Sequence, residues 1–108
     1  MSDVRLYFCT CPDVASAERL ANALVERRLA ACVNLLPGIR SVYRWQGAIE
    51  QGEEVLLLIK SRDELFTSLS DAIRELHPYE LPELIAVKVD SGLPAYLDWV
   101  RAETDKPA

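Results

Sequence analysis

Four short apolar runs and two stretches of helical spacing, in the order β-α-β-β-α-β with a further helix at the end, predict an α+β fold. That order is the ferredoxin-like split βαβ arrangement, two helices on one face of an antiparallel sheet. A third observation refines it. The central strand pair is too long for the body that a chain of this size makes. Residues 1–108 form a single domain, half apolar and long enough for one core. Thr104 to Ala108 read as a frayed tail.

Val4 to Thr10 is a buried strand, rich in apolar and aromatic residues. Cys11-Pro12-Asp13 turns the chain out of it, and Asp13 is placed to cap the following helix. From Val14 to Leu29, Ala17, Leu20, Ala21 and Leu24 recur on one side and Glu18, Asn22 and Glu26 on the other. Ala31 to Leu36 is the second strand, interrupted by Pro37-Gly38. It resumes from Ile39 to Trp45, with Ser41, Tyr43 and Trp45 on one face. Gln46-Gly47 makes a two-residue hairpin turn. Ala48 to Lys60 returns as one long strand. Ser61 and Glu64 then read as a capping box for a helix striped by Leu65, Phe66, Leu69, Ala72, Ile73 and Leu76. Leu84 to Val89 is the fourth strand, and a last short helix is expected to bury Tyr96, Trp99 and Val100.

Thirteen residues at about 3.3 Å each span about 43 Å. A compact domain of this length is nearer ~34 Å across. The hairpin therefore overruns its domain or bends at Pro37-Gly38 and Gly52. Its tip carries Ile39, Val42, Tyr43, Trp45 and Ile49, which a lone ribbon cannot bury. The tip is expected to pack on a second subunit, the alternative being a hairpin folded back over its own sheet.

Composition narrows the function. The net charge is −5 and Arg27-Arg28 is the one adjacent basic pair, so the clustered cations that bind a phosphate backbone are missing. No secretory leader and no apolar run of membrane-spanning length is read. Three cysteines cannot all pair within the chain, which points to reduced thiols and a cytoplasmic location. No nucleophile–base–orienter set and no phosphate-cradling glycine loop argues for an enzyme.

The stretch with most chemistry is His77-Pro78-Tyr79-Glu80-Leu81-Pro82-Glu83, which holds the single histidine. Pro78 stops the helix before it, and His77 stands at a helix C-terminus. Two readings stay open for it, a carbonyl-capping residue or a metal ligand. Cys32, inside an apolar strand, reads as a small core hydrophobe. Cys9 and Cys11 would face the same way on a continuing strand, and such a pair could bind Cu(I). Pro12 suggests the strand ends there, leaving Cys9 buried and Cys11 the more exposed thiol. Trp45, Lys60, Tyr79 and Glu80 could line a cleft between subunits, and Tyr43 and Trp45 read equally as an oligomer interface.

Five strings in register resemble one known family: Cys11-Pro12-Asp13, Leu29 to Asn34, Ser41 to Gly47, His77 to Glu83, and Tyr96 to Trp99. Over nearly the whole of Val4 to Val100 the chain resembles the CutA divalent-cation tolerance proteins. The resemblance implies a ferredoxin-like subunit forming a homotrimer through its long hairpins. It also implies a role in copper or metal tolerance, with Cys11 and His77 at the copper site and zinc as another candidate ion. Some members carry a second histidine where this chain has Leu76, so fewer imidazoles are on offer here. The family resembles the PII signalling trimers in architecture. That leaves two other readings, a signalling module with a small anionic ligand between subunits and a scaffold that anchors a partner. The long PII loop is replaced here by the compact Trp45-Gln46-Gly47 turn.

Overall fold

The structure is a computed structural model that describes residues 3–105. Strand β1 (Val4–Cys11) leads to helix α1 (Val14–Glu26), then the hairpin of β2 (Cys32–Trp45) and β3 (Ala48–Arg62). A 3-10 turn at Asp63–Leu65 opens helix α2 (Phe66–Leu76), and β4 (Ile85–Lys88) and α3 (Pro94–Glu103) complete the chain. The sheet is antiparallel, in the order β2-β3-β1-β4. This is the predicted α+β arrangement with its extra C-terminal helix.

The register decides which residues form the core. Tyr7, Cys9 and Cys11 on β1 lie opposite Ile59, Leu57 and Val55 on β3. All six are buried, together with Leu20 and Leu24 of α1 and Leu69 and Ile73 of α2. Tyr7 keeps its hydroxyl in this apolar layer by donating to the Arg62 carbonyl, 2.7 Å away. The intervening residues Leu6, Phe8, Leu56 and Leu58 point to the other face. Helix α3 covers one end of that face, where Val4, Ala31 and Val100 form a second small cluster. Among the described residues no helix is long and apolar enough to cross a membrane.

Local sequence explains the ends of the elements. Asp13 caps α1 as expected, its carboxylate accepting from the Ser16 N–H at 2.7 Å. The helix stops at Glu26, three residues before the predicted end. Arg28 adopts φ 58°, and the Leu29 N–H reaches back to the Leu24 carbonyl at 2.9 Å, a Schellman closure with arginine where glycine is usual. Gln46 and Gly47 turn the hairpin with φ 48° and 83°, both positive as a type I′ turn requires. Pro37-Gly38 does not break β2. The strand continues through a bulge between Leu36 and Ile39 that inserts one extra residue, and Gly38 takes φ 80° there.

Other expectations are corrected. Ser61 caps no helix. It is the fully buried penultimate residue of β3, and its hydroxyl donates to the Leu29 carbonyl at 2.6 Å. Glu64 instead pairs with Arg62. Helix α3 buries Val100 alone of the three residues expected. Tyr96 and Trp99 remain 40% and 43% exposed, their rings against one another at a tilt of 37° with centroids 5.5 Å apart. Cys32 is only partly buried, because it lies opposite Lys60 on the face away from α1 and α2. Thr104 is not frayed. It is buried and accepts from Arg62 Nε at 2.8 Å. The last three residues of the predicted tail lie outside the described ones.

The hairpin gives the molecule its longest dimension, 45 Å against 27 and 22 Å for the others. Its tip does not fold back over the sheet. Val42 and Ile49 are each 66% exposed, and Tyr43 and Trp45 also face outward.

Candidate metal centre

Strand β1 extends one residue further than its sequence suggests, and the site follows from that. Cys11 pairs with Val55 inside the ladder, so it remains strand and shares a face with Cys9. Both thiols are completely buried. The expectation of an exposed Cys11 is therefore wrong, because Pro12 ends the strand only after Cys11 has joined the ladder.

His77 reaches the same place from the other side of the fold. Helix α2 ends at Leu76, and the His77 N–H donates to the Ile73 carbonyl at 2.8 Å. Its backbone then turns extended, as Pro78 demands. The ring drops over the end of β1, leaving the residue 7% exposed. Nε2 lies 2.6 Å from the Thr10 carbonyl and 3.6 Å from Cys11 Sγ. Nδ1 accepts the Tyr79 backbone N–H at 3.0 Å. A nitrogen that accepts cannot also carry a proton, so the ring is neutral with its hydrogen on Nε2, shared between the carbonyl and the sulfur. His77 thus does more than cap carbonyls.

The electrostatics divide the two thiols. The neighbouring Cys9 thiol and the His77 N–H pull the Cys11 thiol down to about 6 against the opposing effect of burial. The same Cys9–Cys11 contact, then burial, raises Cys9. Burial works to lower His77, while its contacts with Cys11 and the Thr10 carbonyl work to raise it and prevail; protonation would cost the bond that Nδ1 accepts from Tyr79. One ligand atom from each of Cys9, Cys11 and His77 can be chosen so that all lie within 4.8 Å of one another. The residues therefore fit a soft metal ion, whose preferred donors are sulfur and imidazole nitrogen.

The other predicted residues fall into two places. Tyr43, Trp45, Tyr79 and Glu80 line one cavity of about 720 Å³ between the hairpin and the 77–83 loop, together with Arg40 and Glu54. The Tyr79 hydroxyl donates to Glu54 at 2.8 Å, and its ring sits 4.8 Å from that of His77. Lys60 is not among the lining residues. Its Nζ stands over the Tyr96 ring, 5.9 Å from the centroid. The sequence reading weighed Cys9 as a partner of Cys11 and set it aside as buried; it is buried, and it also shares the face of Cys11. Glu54 escaped that reading because it carried no local signal, its partner lying 25 residues on.

Residues 5–103 match the profile of a family described as the CutA1 divalent ion tolerance protein. The chain is 50% identical over 98 residues to Protein CutA of Homo sapiens, a match covering 91% of this chain and 55% of that protein. It is 46% identical over 95 residues to the divalent-cation tolerance protein CutA of Thermus thermophilus, covering 88% of this chain and 92% of that protein. The chain thus spans about half the length of the mammalian relatives and nearly all of the bacterial one. Among solved structures, CutA from Xylella fastidiosa superposes with a TM-score of 0.93 at 53% identity, covering 96% of this chain and 100% of that one.

Proposed function

Because the chain belongs to the CutA1 divalent ion tolerance protein family, we propose that it is a metal-tolerance protein binding copper, or another ion such as zinc, through Cys11 and His77. The observation that carries this reading is the convergence of thiol and imidazole, 66 residues apart in sequence, at 3.6 Å in a buried site. Buried polar groups of this kind are retained for packing, for redox chemistry or for a ligand. An imidazole whose N–H points at a thiol of lowered pKa offers a metal two donors at little desolvation cost. The thiols are kept reduced, as in the cytoplasm.

We further propose that the working unit is a homotrimer, the count coming from the family resemblance. Two features support assembly. The run Val55 to Ile59 is apolar on both faces of the sheet, as in a strand covered on both sides. The open face adds Leu36, Ile85 and Val87, all exposed in the single chain.

The test is an anaerobic titration of reduced protein with Cu(I), Cu(II) and Zn(II) against competing chelators, repeated on Cys11→Ser and His77→Ala with oligomer mass recorded. Stoichiometric binding that both substitutions abolish in an intact oligomer supports the reading. Binding indifferent to both refutes it. The 720 Å³ cavity keeps a second reading, a PII-like ligand site. Its lining carries Glu54, Glu80 and Glu83 against Arg40, which suits a cationic ligand better than the anionic one expected from the PII comparison. Saturable binding of an organic cation, lost in Glu80→Gln, is its signature.

A further inference from the structure

We propose that the cavity between the hairpin arm and the 77–83 loop is a site for a linear aliphatic diamine or polyamine, a cation whose charges are spread along a chain of methylenes. The inference rests on the second reading above, that this cavity takes an organic cation, and adds to it the class of cation. It is independent of the metal centre.

The register of the sheet makes the cavity. Strand β1 ends at Cys11, opposite Val55, whereas β2 and β3 run on together as far as Trp45 and Ala48. From Glu54 outward β3 has no β1 residue beside it, and the 77–83 loop stands where the strand has stopped. The result is a corner of about 720 Å³, within the ~300–1,000 Å³ usual for small-molecule sites. Ser41, Tyr43 and Trp45 share one face of the arm. Gly52 and Ala48 lie opposite the first and last of them, and a Cβ added at Gly52 would meet nothing within 4 Å. The arm thus offers two aromatic side chains with open space beside them.

The charges select the ligand. The lining has three carboxylates, Glu54, Glu80 and Glu83, against one guanidinium, Arg40, a balance of −2. Arg40 itself stands opposite a further acid, Glu53, across the ribbon. Glu54 accepts from the Tyr79 hydroxyl at 2.8 Å. Glu80 and Glu83 have no hydrogen-bond or ion-pair partner among the described residues. A divalent metal ion would neutralise the same charge, but it needs its oxygens gathered about one point at ~2.0–2.6 Å. Among the described residues these carboxylates form no group compact enough for that, the one such group being Cys9, Cys11 and His77. Dispersed acids suit a dispersed cation.

The rest of the lining suits the rest of the ligand. Methylenes bring apolar surface, which Val42, Tyr43, Trp45 and Leu81 can cover. An ammonium over an aromatic face also gains from the ring quadrupole. In this site one ammonium meets the loop carboxylates Glu80 and Glu83, the methylenes run along the aromatic face of the arm, and a second ammonium reaches Glu54.

The experiment uses the full chain in its assembled form, reduced and stripped of metal beforehand with a chelator that is then removed. Calorimetry at one ionic strength compares butylamine, 1,4-diaminobutane, spermidine, tetramethylammonium and Mg(II). The variants are Glu80→Gln, Glu83→Gln and Tyr43→Leu, with Glu18→Gln, on the exposed side of α1, as the control for net charge. Oligomer mass is recorded for each. The expected result is one saturable diamine site per chain, at least ~10-fold tighter than for the monoamine, because the second ammonium finds its own carboxylate. Each loop substitution should weaken the diamine about fivefold and Tyr43→Leu about 2–5-fold, while Glu18→Gln leaves it unchanged. A diamine no tighter than the monoamine, or tightest binding by tetramethylammonium or Mg(II), overturns the extended cation; the organic-cation reading then stands if Glu80→Gln still removes amine binding. Amine binding indifferent to both loop substitutions overturns the site itself. A wild type that binds no amine, with an oligomer mass that falls in Glu80→Gln, assigns these acids to subunit contact and overturns both.

Discussion

Replacing Ser61 by alanine isolates one hydrogen bond whose partner the sequence misidentifies. The Ser61 hydroxyl is fully buried and donates to the Leu29 carbonyl at 2.6 Å. Two residues on, the Ala31 N–H donates to the Lys60 carbonyl at 2.9 Å. These two bonds pin the return from α1 into β2 against the end of β3. Ser61→Ala removes the donor and leaves a carbonyl facing a gap too small for water. A neutral hydrogen bond is worth about 1 kcal/mol net, and an acceptor stranded in the interior costs roughly 1–3 kcal/mol. The expected loss is about 2 kcal/mol. At about 4–8 °C per kcal/mol for domains near this size, the melting midpoint falls by about 10 °C. Urea unfolding at one fixed protein concentration measures it, so that assembly contributes equally to both proteins. Glu64→Gln is the control. A capping box would make the two residues act together, whereas the structure gives Glu64 only an exposed partnership with Arg62, worth under about 1 kcal/mol. A Ser61→Ala protein within ~0.5 kcal/mol of wild type, or a Glu64→Gln protein equally damaged, refutes the assignment.

Three other outcomes are expected. The Cys9 thiol and the His77 ring hold Cys11 below its ordinary value of 9.0 in the folded chain, so the unfolded chain binds that proton more tightly. The stabilisation it contributes is complete above the unfolded value and disappears as pH falls through about 6; thiolate absorbance should show one group titrating low, and His77→Ala should move that midpoint upward. If Cys11 titrates at its ordinary value of 9.0, the cluster is not as described. Trp45→Glu places a charge in the apolar hairpin tip and should reduce the oligomer mass in light scattering, whereas an unchanged mass would remove the tip from the interface. Arg28→Gly relieves a left-handed residue at φ 58° and should stabilise the chain by about 0.5–1 kcal/mol, less whatever its side chain gains from the Glu103 carbonyl at 3.5 Å. A destabilised variant would show that the side-chain contact outweighs the strain.

Features decided by near neighbours were legible in the chain. Alternation and length gave the strands, Asp13 its helix, Gln46-Gly47 its turn, and Pro78 the helix stop that positions His77. The misreadings share a cause. Ser61 lies beside an acid with capping-box spacing, but its partner is Leu29, 32 residues away. Tyr96 and Trp99 look like core residues on an apolar helix, but α3 lies on the less covered face and buries only a narrow stripe. Cys11 looked like loop because proline follows it. A strand's last residue is fixed by what pairs beside it, and Val55 is 44 positions on in the chain. The metal cluster was half visible for the same reason. Its residue types stood out, while their meeting depends on where a ladder ends.

The extra residue between Leu36 and Ile39 has a consequence for how this chain tolerates change. Up to Leu36 the even-numbered residues of β2 share a face with Leu56 and Leu58; from Ile39 onward the odd-numbered ones sit opposite Glu54, Gly52 and Glu50. The kink is a parity switch, dividing the ribbon into a root that answers to its own core and an arm that answers to whatever it grips. Loss of either Pro37 or Gly38 would leave one residue opposite Val55 in place of two, so Leu36 and Ile39 could keep Leu56 and Glu54 as partners, every side chain would keep its face, and only the local bend and twist of the arm would change. Such a chain would present the same residues along a differently aimed arm, so the extra residue sets a direction that none of the arm's side chains reveals alone.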